Sequence, residues 1–211
     1  MGRGALRLSH LTYLPPVQQV TAQHGAAKYV GAVAAGYDAK RENTEKFIVE
    51  QGIIERMLGD LPSGTRVLDC PVGTGRFLPY YVERDFIFIG MDRSMDMMTI
   101  AATKVKSQKA RGELHVGNIL ATNLADKAVD VTVNCRITRW VIGEHGPSGI
   151  AAMLKEMQRV TLERIILTAR VRDHKYAVTR DLIESALDGW VIHEDAEGYE
   201  PAYRIMELRP A

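Results

Sequence analysis

Val67-Leu-Asp-Cys-Pro-Val-Gly-Thr-Gly-Arg-Phe77 is the stretch that decides the fold. An apolar run ends in an acid, and a glycine-rich turn then opens a helix. A strand, a phosphate-loop-like turn and a helix N-terminus follow one another within it. Gly73 and Gly75 let the backbone bend tightly and come close to a ligand, because no Cβ stands in the way. Asp69, at the C-terminal end of the strand, is placed to face the crevice in which open α/β sheets bind ligands. A carboxylate there suits a ligand bearing a cation or hydroxyl groups and repels a pyrophosphate.

Strands and helices alternate on both sides of this stretch, which predicts an α/β domain with a mostly parallel sheet. Upstream, Phe47, Ile48, Ile53, Ile54 and Met57 fall near helical spacing and predict a helix over about 40–60. The first strand is Arg66–Asp69 and its helix runs from about Thr74 to Glu83, with Pro79 inside it. Phe86–Met91 is an apolar run typical of a buried parallel strand, followed by a helix over Ser94–Lys106. Further strands are expected at Glu113–Val116, Val129–Asn134 and Arg164–Ala169, with helices at Ile150–Thr161 and Asp181–Leu187. Trp190–Glu194 and Ala202–Leu208, around Glu197-Gly198-Tyr199, read as an antiparallel pair. Residues 1–25 are poorly patterned and include Pro15-Pro16. The chain therefore divides into an N-terminal arm or lid, 1–40, and one domain, 41–211. Tyr13, Tyr29 and Tyr37 in the arm are expected to close over a bound ligand.

The 211 residues suffice for one such domain with a real core, and 25% charged against 46% hydrophobic residues is ordinary for a globular protein. A formal net charge of +1 gives no electrostatic footprint for nucleic acid, which is not expected as a partner. No apolar run is long enough to span a bilayer, and the N-terminus lacks the apolar segment of a secretory signal. Cys70 and Cys135 are the only cysteines and do not make a disulfide framework. A reducing, cytoplasmic setting is expected, with monomer and dimer both open.

Asp69 through Gly75 resembles the first motif of class I S-adenosylmethionine-dependent methyltransferases, an acid followed by x-G-x-G-x-G. Here Pro71 stands where the first glycine is usual. Gly90-Met-Asp-Arg-Ser-Met-Asp-Met-Met98 resembles the second acidic site of that family. The resemblance implies that Asp92 accepts from both ribose hydroxyls, with Arg93 and Met97 beside the adenine. The alternative reading of Asp92 is a helix N-terminal acid favoured by the macrodipole. Gly117-Asn118-Ile119 stands where the family contacts the adenine amino group and a ring nitrogen, and otherwise reads as a turn. Leu124–Val133 resembles the run before the fourth strand, where Asp130 reads as a structural turn acid.

After that strand come Asn134-Cys-Arg-Ile-Thr-Arg-Trp-Val141. Arg136 or Arg139 takes the place of a frequent basic residue, and Trp140 stands about where His is frequent. Val33-Ala-Ala-Gly-Tyr-Asp-Ala-Lys-Arg41 resembles the entry segment of the ubiquinone- and menaquinone-biosynthesis type, with Tyr37 over the methionine end of the cofactor and Arg41 near its carboxylate. The resemblance implies a Rossmann-like, seven-stranded, mostly parallel sheet with helices on both faces and a C-terminal antiparallel hairpin. It also implies S-adenosyl-L-methionine as cofactor, held at Asp69, Cys70, Pro71, Gly73, Gly75 and Asp92 and flanked by Cys135. The acceptor it implies is a small molecule.

Other chemistries find little support. There is no G-x-x-x-x-G-K-S/T and no H-E-x-x-H, the His and Cys residues lack metal-ligand spacing, and no metal is expected. Gly73-Thr-Gly75 lacks the third glycine of a dinucleotide fingerprint. Methyl transfer needs a general base only where the nucleophile must lose a proton early. Glu144 and His145, on the loop expected after the fourth strand, are the candidates, since imidazole titrates near neutral pH; an exposed loop histidine is the plainer reading. Methylation of RNA or protein and a non-catalytic cofactor-binding scaffold remain as alternatives. The family's strand order makes strands one and four neighbours, so Cys70 and Cys135 are expected at the same sheet edge, buried, reduced and near one another.

Overall fold

The computed structural model describes residues 28–211. Its strands are β1 (Arg66–Asp69), β2 (Ile87–Asp92), β3 (Gly112–Val116), β4 (Val129–Asn134), β5 (Thr161–Arg170), β6 (Trp190–Glu197) and β7 (Tyr203–Pro210). They form one seven-stranded sheet in the order β3-β2-β1-β4-β5-β7-β6. β1 to β5 run parallel, and β7 is antiparallel to both β5 and β6. The chain winds outward from β1 to β3 and then returns to the other side of β1 with β4. That reversal opens a crevice at the carboxyl ends of β1 and β4, where doubly wound sheets bind ligands.

The central parallel strands β1, β2 and β4 are buried on both faces, which is why they read as mostly apolar runs, whereas the edge strand β3 is exposed. Val67 and Leu68 of β1 are both fully buried and point to opposite faces. Leu68 packs with Ile89, Met153, Leu154 and Met157, the last three from α5 (Thr138–Val160) and one from β2. Val67 packs with Ile54 and Leu58 of α2 (Glu45–Leu58) and with Leu78 and Tyr81 of α3 (Leu78–Glu83). Fully burying side chains of this size contributes about 1.5–3 kcal/mol each. The remaining helices are α1 (Gly31–Ala35), α4 (Met95–Gln108) and α6 (Arg180–Glu184). Among the described residues no helix is long and apolar enough to cross a membrane.

Local sequence explains most element ends. Ser94 caps α4 by accepting from the Met97 backbone N–H at 3.3 Å, Asp96 lies in the first turn and Lys106 in the last. Pro79 sits in the first turn of α3, where its missing N–H costs nothing, so this helix begins at Leu78 rather than near Thr74. The largest departure lies after β4. A helix starts at Thr138, not at Ile150, and Glu144 and His145 belong to it rather than to a loop. Gly146, at φ 65° and ψ −163°, breaks that helix, and Pro147 restarts it as the second half of α5. Gly146-Pro147, a local helix breaker, here joins two helical segments.

Candidate cofactor-binding site

A cavity of about 460 Å³ lies over the carboxyl ends of β1, β2 and β4. Cys70, Pro71 and Gly73 form its floor; the Cys70–Pro71 peptide is cis. Gly73 has φ +55°, and a Cβ built there would meet nothing within 4 Å. It would point into ligand space. Gly75 is also left-handed, at φ +77°, but its Cβ would lie 2.4 Å from Leu78 Cδ1 and 3.6 Å from the Ala101 Cα. The two glycines thus do different work. Gly73 opens the floor, and Gly75 lets the loop pack closely on α3 and α4 without lining the cavity.

Asp92, at the end of β2, lies on the wall. Its Oδ2 accepts from the Gly73 backbone N–H at 3.0 Å and its Oδ1 from the Ser94 N–H at 2.8 Å. One carboxylate therefore ties the glycine loop to the start of α4 and keeps lone pairs for a ligand. Burial pushes its pKa up, and the backbone N–H groups of Ser94, Gly73 and Arg93 pull it back. Asn118, Ile119 and Met97 line the same end. Asn118 Oδ1 accepts from the Leu120 N–H at 3.1 Å, so it also closes its own turn. Arg93 reaches across to Glu144 of α5, with Nη1 to Oε2 at 3.1 Å, and His145 Nε2 stands 3.6 Å from the same oxygen.

Residues 28–41 contribute Lys28, Tyr29, Tyr37 and Arg41 to the cavity lining. Asp38 accepts from Thr74 Oγ1 at 2.6 Å and from Lys104 Nζ at 2.8 Å, pinning the segment to the glycine loop and α4. Tyr29 makes edge contacts with Tyr37 at 5.7 Å and with Trp140 of α5 at 6.2 Å between ring centroids. Arg41 stacks on Tyr37 at 4.0 Å, and both line the cavity. Tyr13 lies outside the described residues.

Residues 67–163 match the family model described as Methyltransferase domain. That match spans 97 of the 211 residues, and with the motifs above it likens the chain to class I S-adenosylmethionine-dependent methyltransferases. Solved structures share its fold at low identity. A protein from Pyrococcus horikoshii OT3 superposes with a TM-score of 0.68 at 15% identity, over 86% of this chain and 100% of that one. A S-adenosylmethionine-dependent methyltransferase from Aquifex aeolicus gives 0.64 at 15%, over 84% and 98%. The magnesium protoporphyrin IX methyltransferase from Synechocystis PCC 6803, with bound S-adenosylhomocysteine, gives 0.61 at 15%, over 79% and 83%. No curated protein sequence matches the chain significantly.

The cavity fits S-adenosylmethionine. It has an open cradle at Gly73 and a wall carboxylate at Asp92. Tyr37, Arg41, Cys70, Pro71, Gly73 and Asp92 line the cavity, as do Arg93, Met97, Asn118 and Ile119, and Cys135, Arg136, Glu144 and His145. Asp69 and Gly75 do not. The register puts Asp69 on the face of Val67, under the floor rather than on it, and its residue is 1% exposed. Both carboxyl oxygens lack a strict hydrogen-bond partner, although the Tyr81 hydroxyl lies alongside. Burial raises its pKa from 3.8 to about 8, with Asp92 adding to the rise, so at neutral pH the carboxyl is mostly protonated.

A group with a raised carboxyl pKa holds its proton in the folded state where the unfolded chain has lost it. Its cost to folding therefore grows from 3.8 up to about 8 and is constant above. Asp69→Asn should remove this dependence. In urea titrations the variant should gain on the parent as pH rises from about 5 to 8, by up to about 1.4 kcal/mol per pH unit. A constant difference across that range would mean that Asp69 is ionised in the folded protein.

The sequence reading missed the group that organises the cavity's basic wall. Glu50 of α2 is fully buried. Its Oε1 receives Arg76 Nη1 at 2.5 Å and Arg136 Nε at 2.7 Å, and its Oε2 the Tyr203 hydroxyl at 2.5 Å. Burial pushes its pKa up, and Arg136 and Arg76 outweigh this and hold it below the ordinary value. One signal was available: an acid stands on the helix stripe of Phe47, Ile54 and Met57, where an apolar residue is expected.

Cys70 and Cys135 are both free and buried, and β1 and β4 are neighbours. Their side chains, however, lie in the cores on opposite faces of the sheet. Asp69 pairs with Val133, so Cys70 falls beside Asn134, and Cys135 one residue later points the other way.

Proposed function

We propose that this methyltransferase moves a methyl group from S-adenosylmethionine to a small-molecule acceptor in a reducing, cytoplasmic setting. One observation carries the choice of acceptor. Tyr29, Tyr37 and Trp140 line the cavity, and Tyr29 meets the other two rings edge to face. A space of about 460 Å³ lined in this way lies within the range of small-molecule sites.

When bound, the cofactor supplies an electrophilic methyl carbon on a sulfonium. The chain's residues do the rest. Asp92 holds the ribose hydroxyls, Asn118 and the Ile119 N–H meet the adenine, and Arg93 covers that end while fixed by Glu144. Arg41 takes the methionine carboxylate. Asp69 supports the floor from below as a neutral carboxyl. The aromatic cluster excludes water and holds the acceptor in line, and positioning of this kind supplies several kcal/mol of a barrier.

Labelled methyl donor added to a cell extract with the protein tests the reading. Label should appear in a component below about 1 kDa. Label in RNA or protein, or binding with no transfer, would replace it with one of the alternatives. The lid has its own test in hydrogen exchange. Cofactor should slow exchange at residues 28–41 as well as at 70–73, 92 and 118, and protection confined to the latter set would remove the lid.

A further inference from the structure

The sheet order lays out the cavity as a line. Asn118 and Met97 mark the end over β3 and β2, and Gly73 and Asp92 the middle over β1 and β2. Beyond β4 the lining comes from Arg136, Arg170 at the end of β5, Tyr203 at the start of β7, Tyr199 and, from α2, Lys46. If the cofactor occupies the first two parts, as proposed above, this far compartment belongs to the acceptor.

The compartment is aromatic and holds more cations than carboxylates. Tyr199 and Tyr203 lie 4.8 Å apart between centroids, and Lys46 Nζ stands 5.9 Å from the Tyr199 ring centre. Arg170 is paired with Glu200. Glu50 is one carboxylate serving two guanidinium groups, those of Arg76 and Arg136, which leaves one positive charge unmatched. Among the described residues Lys46 has no carboxylate partner, which leaves a second. Arg136 has donor capacity to spare. Its Nε is used by Glu50, and its Nη2 is buried with no partner. The residue also holds φ at +63°, a backbone conformation that non-glycine residues adopt at a cost, fixed by its N–H on Thr168 Oγ1 at 2.7 Å. A buried guanidinium N–H without an acceptor is expensive, and a planar fork is the group that suits an oxyanion.

We propose that the methyl acceptor is an aromatic or similarly flat organic anion, whose carboxylate or phosphate accepts from Arg136 Nη2 with Lys46 alongside, and whose ring packs on Tyr199 and Tyr203. This rests on the cofactor occupying the Gly73–Asp92 part of the cavity.

Fluorine NMR tests it with three probes on the protein saturated with S-adenosylhomocysteine: 4-fluorobenzoate, 4-fluorophenyl phosphate and the neutral 4-fluorobenzamide. Saturable binding of the homocysteine product is measured first, and its failure counts against the cofactor reading alone. At least one anionic probe should then bind at least fivefold more tightly than the amide, and the stronger of the two identifies the anion. Lys46→Gln, at an exposed position, and Arg136→Gln should each erase most of that preference while leaving the amide unchanged. Equal or tighter binding of the amide, no saturable binding of any probe, or a preference for the anion that survives in Lys46→Gln would overturn the proposal, whatever becomes of the Arg136 variant's stability.

Discussion

Glu50→Ala is expected to cost about 3–5 kcal/mol of folding stability, the scale of breaking a buried ion pair by removing one partner. The substitution leaves Arg76, with an 11% exposed side chain, and Arg136, at 24%, facing one another without the carboxylate between them. It also strips the acceptor from the Tyr203 hydroxyl, and so loosens α2 from β7 and from both loops that border the cavity. Urea unfolding at neutral pH measures the loss. Because the Glu50 pKa is lowered, its contribution is complete above the ordinary value of 4.5 and disappears as the pH falls through the depressed one. Parent and variant should therefore converge in acid. A loss below about 1 kcal/mol, the worth of a surface pair, would mean that the network does not hold these elements together.

Gly73→Val is expected to weaken S-adenosylhomocysteine binding by more than about 100-fold while the protein stays folded. The side chain would project into the cavity, where a Cβ meets no protein atom within 4 Å. The left-handed backbone adds strain of about 1–3 kcal/mol. Gly75→Val, two residues on, should fail differently. Its Cβ would lie 2.4 Å from Leu78 Cδ1, so the damage should appear in unfolding and only secondarily in binding. Calorimetry and urea titration on both variants separate the two roles. Equal binding losses at equal stability would contradict the division.

What was legible in the sequence was what local pattern controls. Arg66–Asp69 and Val129–Asn134 were readable to the residue because an apolar run, an acid and a turn mark each end of a buried parallel strand. The antiparallel tail and the sheet class followed from the same patterns. That Asp92 and Gly73 would line one cavity was readable because a glycine turn and a strand-end acid meet at the carboxyl edge of the sheet. What was hidden depends on contacts far along the chain. Glu50 finds its partners 26, 86 and 153 residues away, and no window of sequence holds that information. The inward turn of Asp69 and the opposed faces of Cys70 and Cys135 depend on register, which a one-residue shift would reverse. The first half of α5 was lost to Gly146-Pro147, a local breaker that the helix absorbs as a kink.

The most direct test of the account is a calorimetric titration of the parent and of Asp92→Ala with S-adenosylhomocysteine. The parent should bind one equivalent, and the variant should remain folded and bind more weakly by about 1.5–3 kcal/mol, the worth of hydrogen bonds to a charged acceptor. A folded parent that takes up no ligand, or a variant that binds as the parent does, would contradict the assignment of the Gly73–Asp92 cavity as the cofactor site.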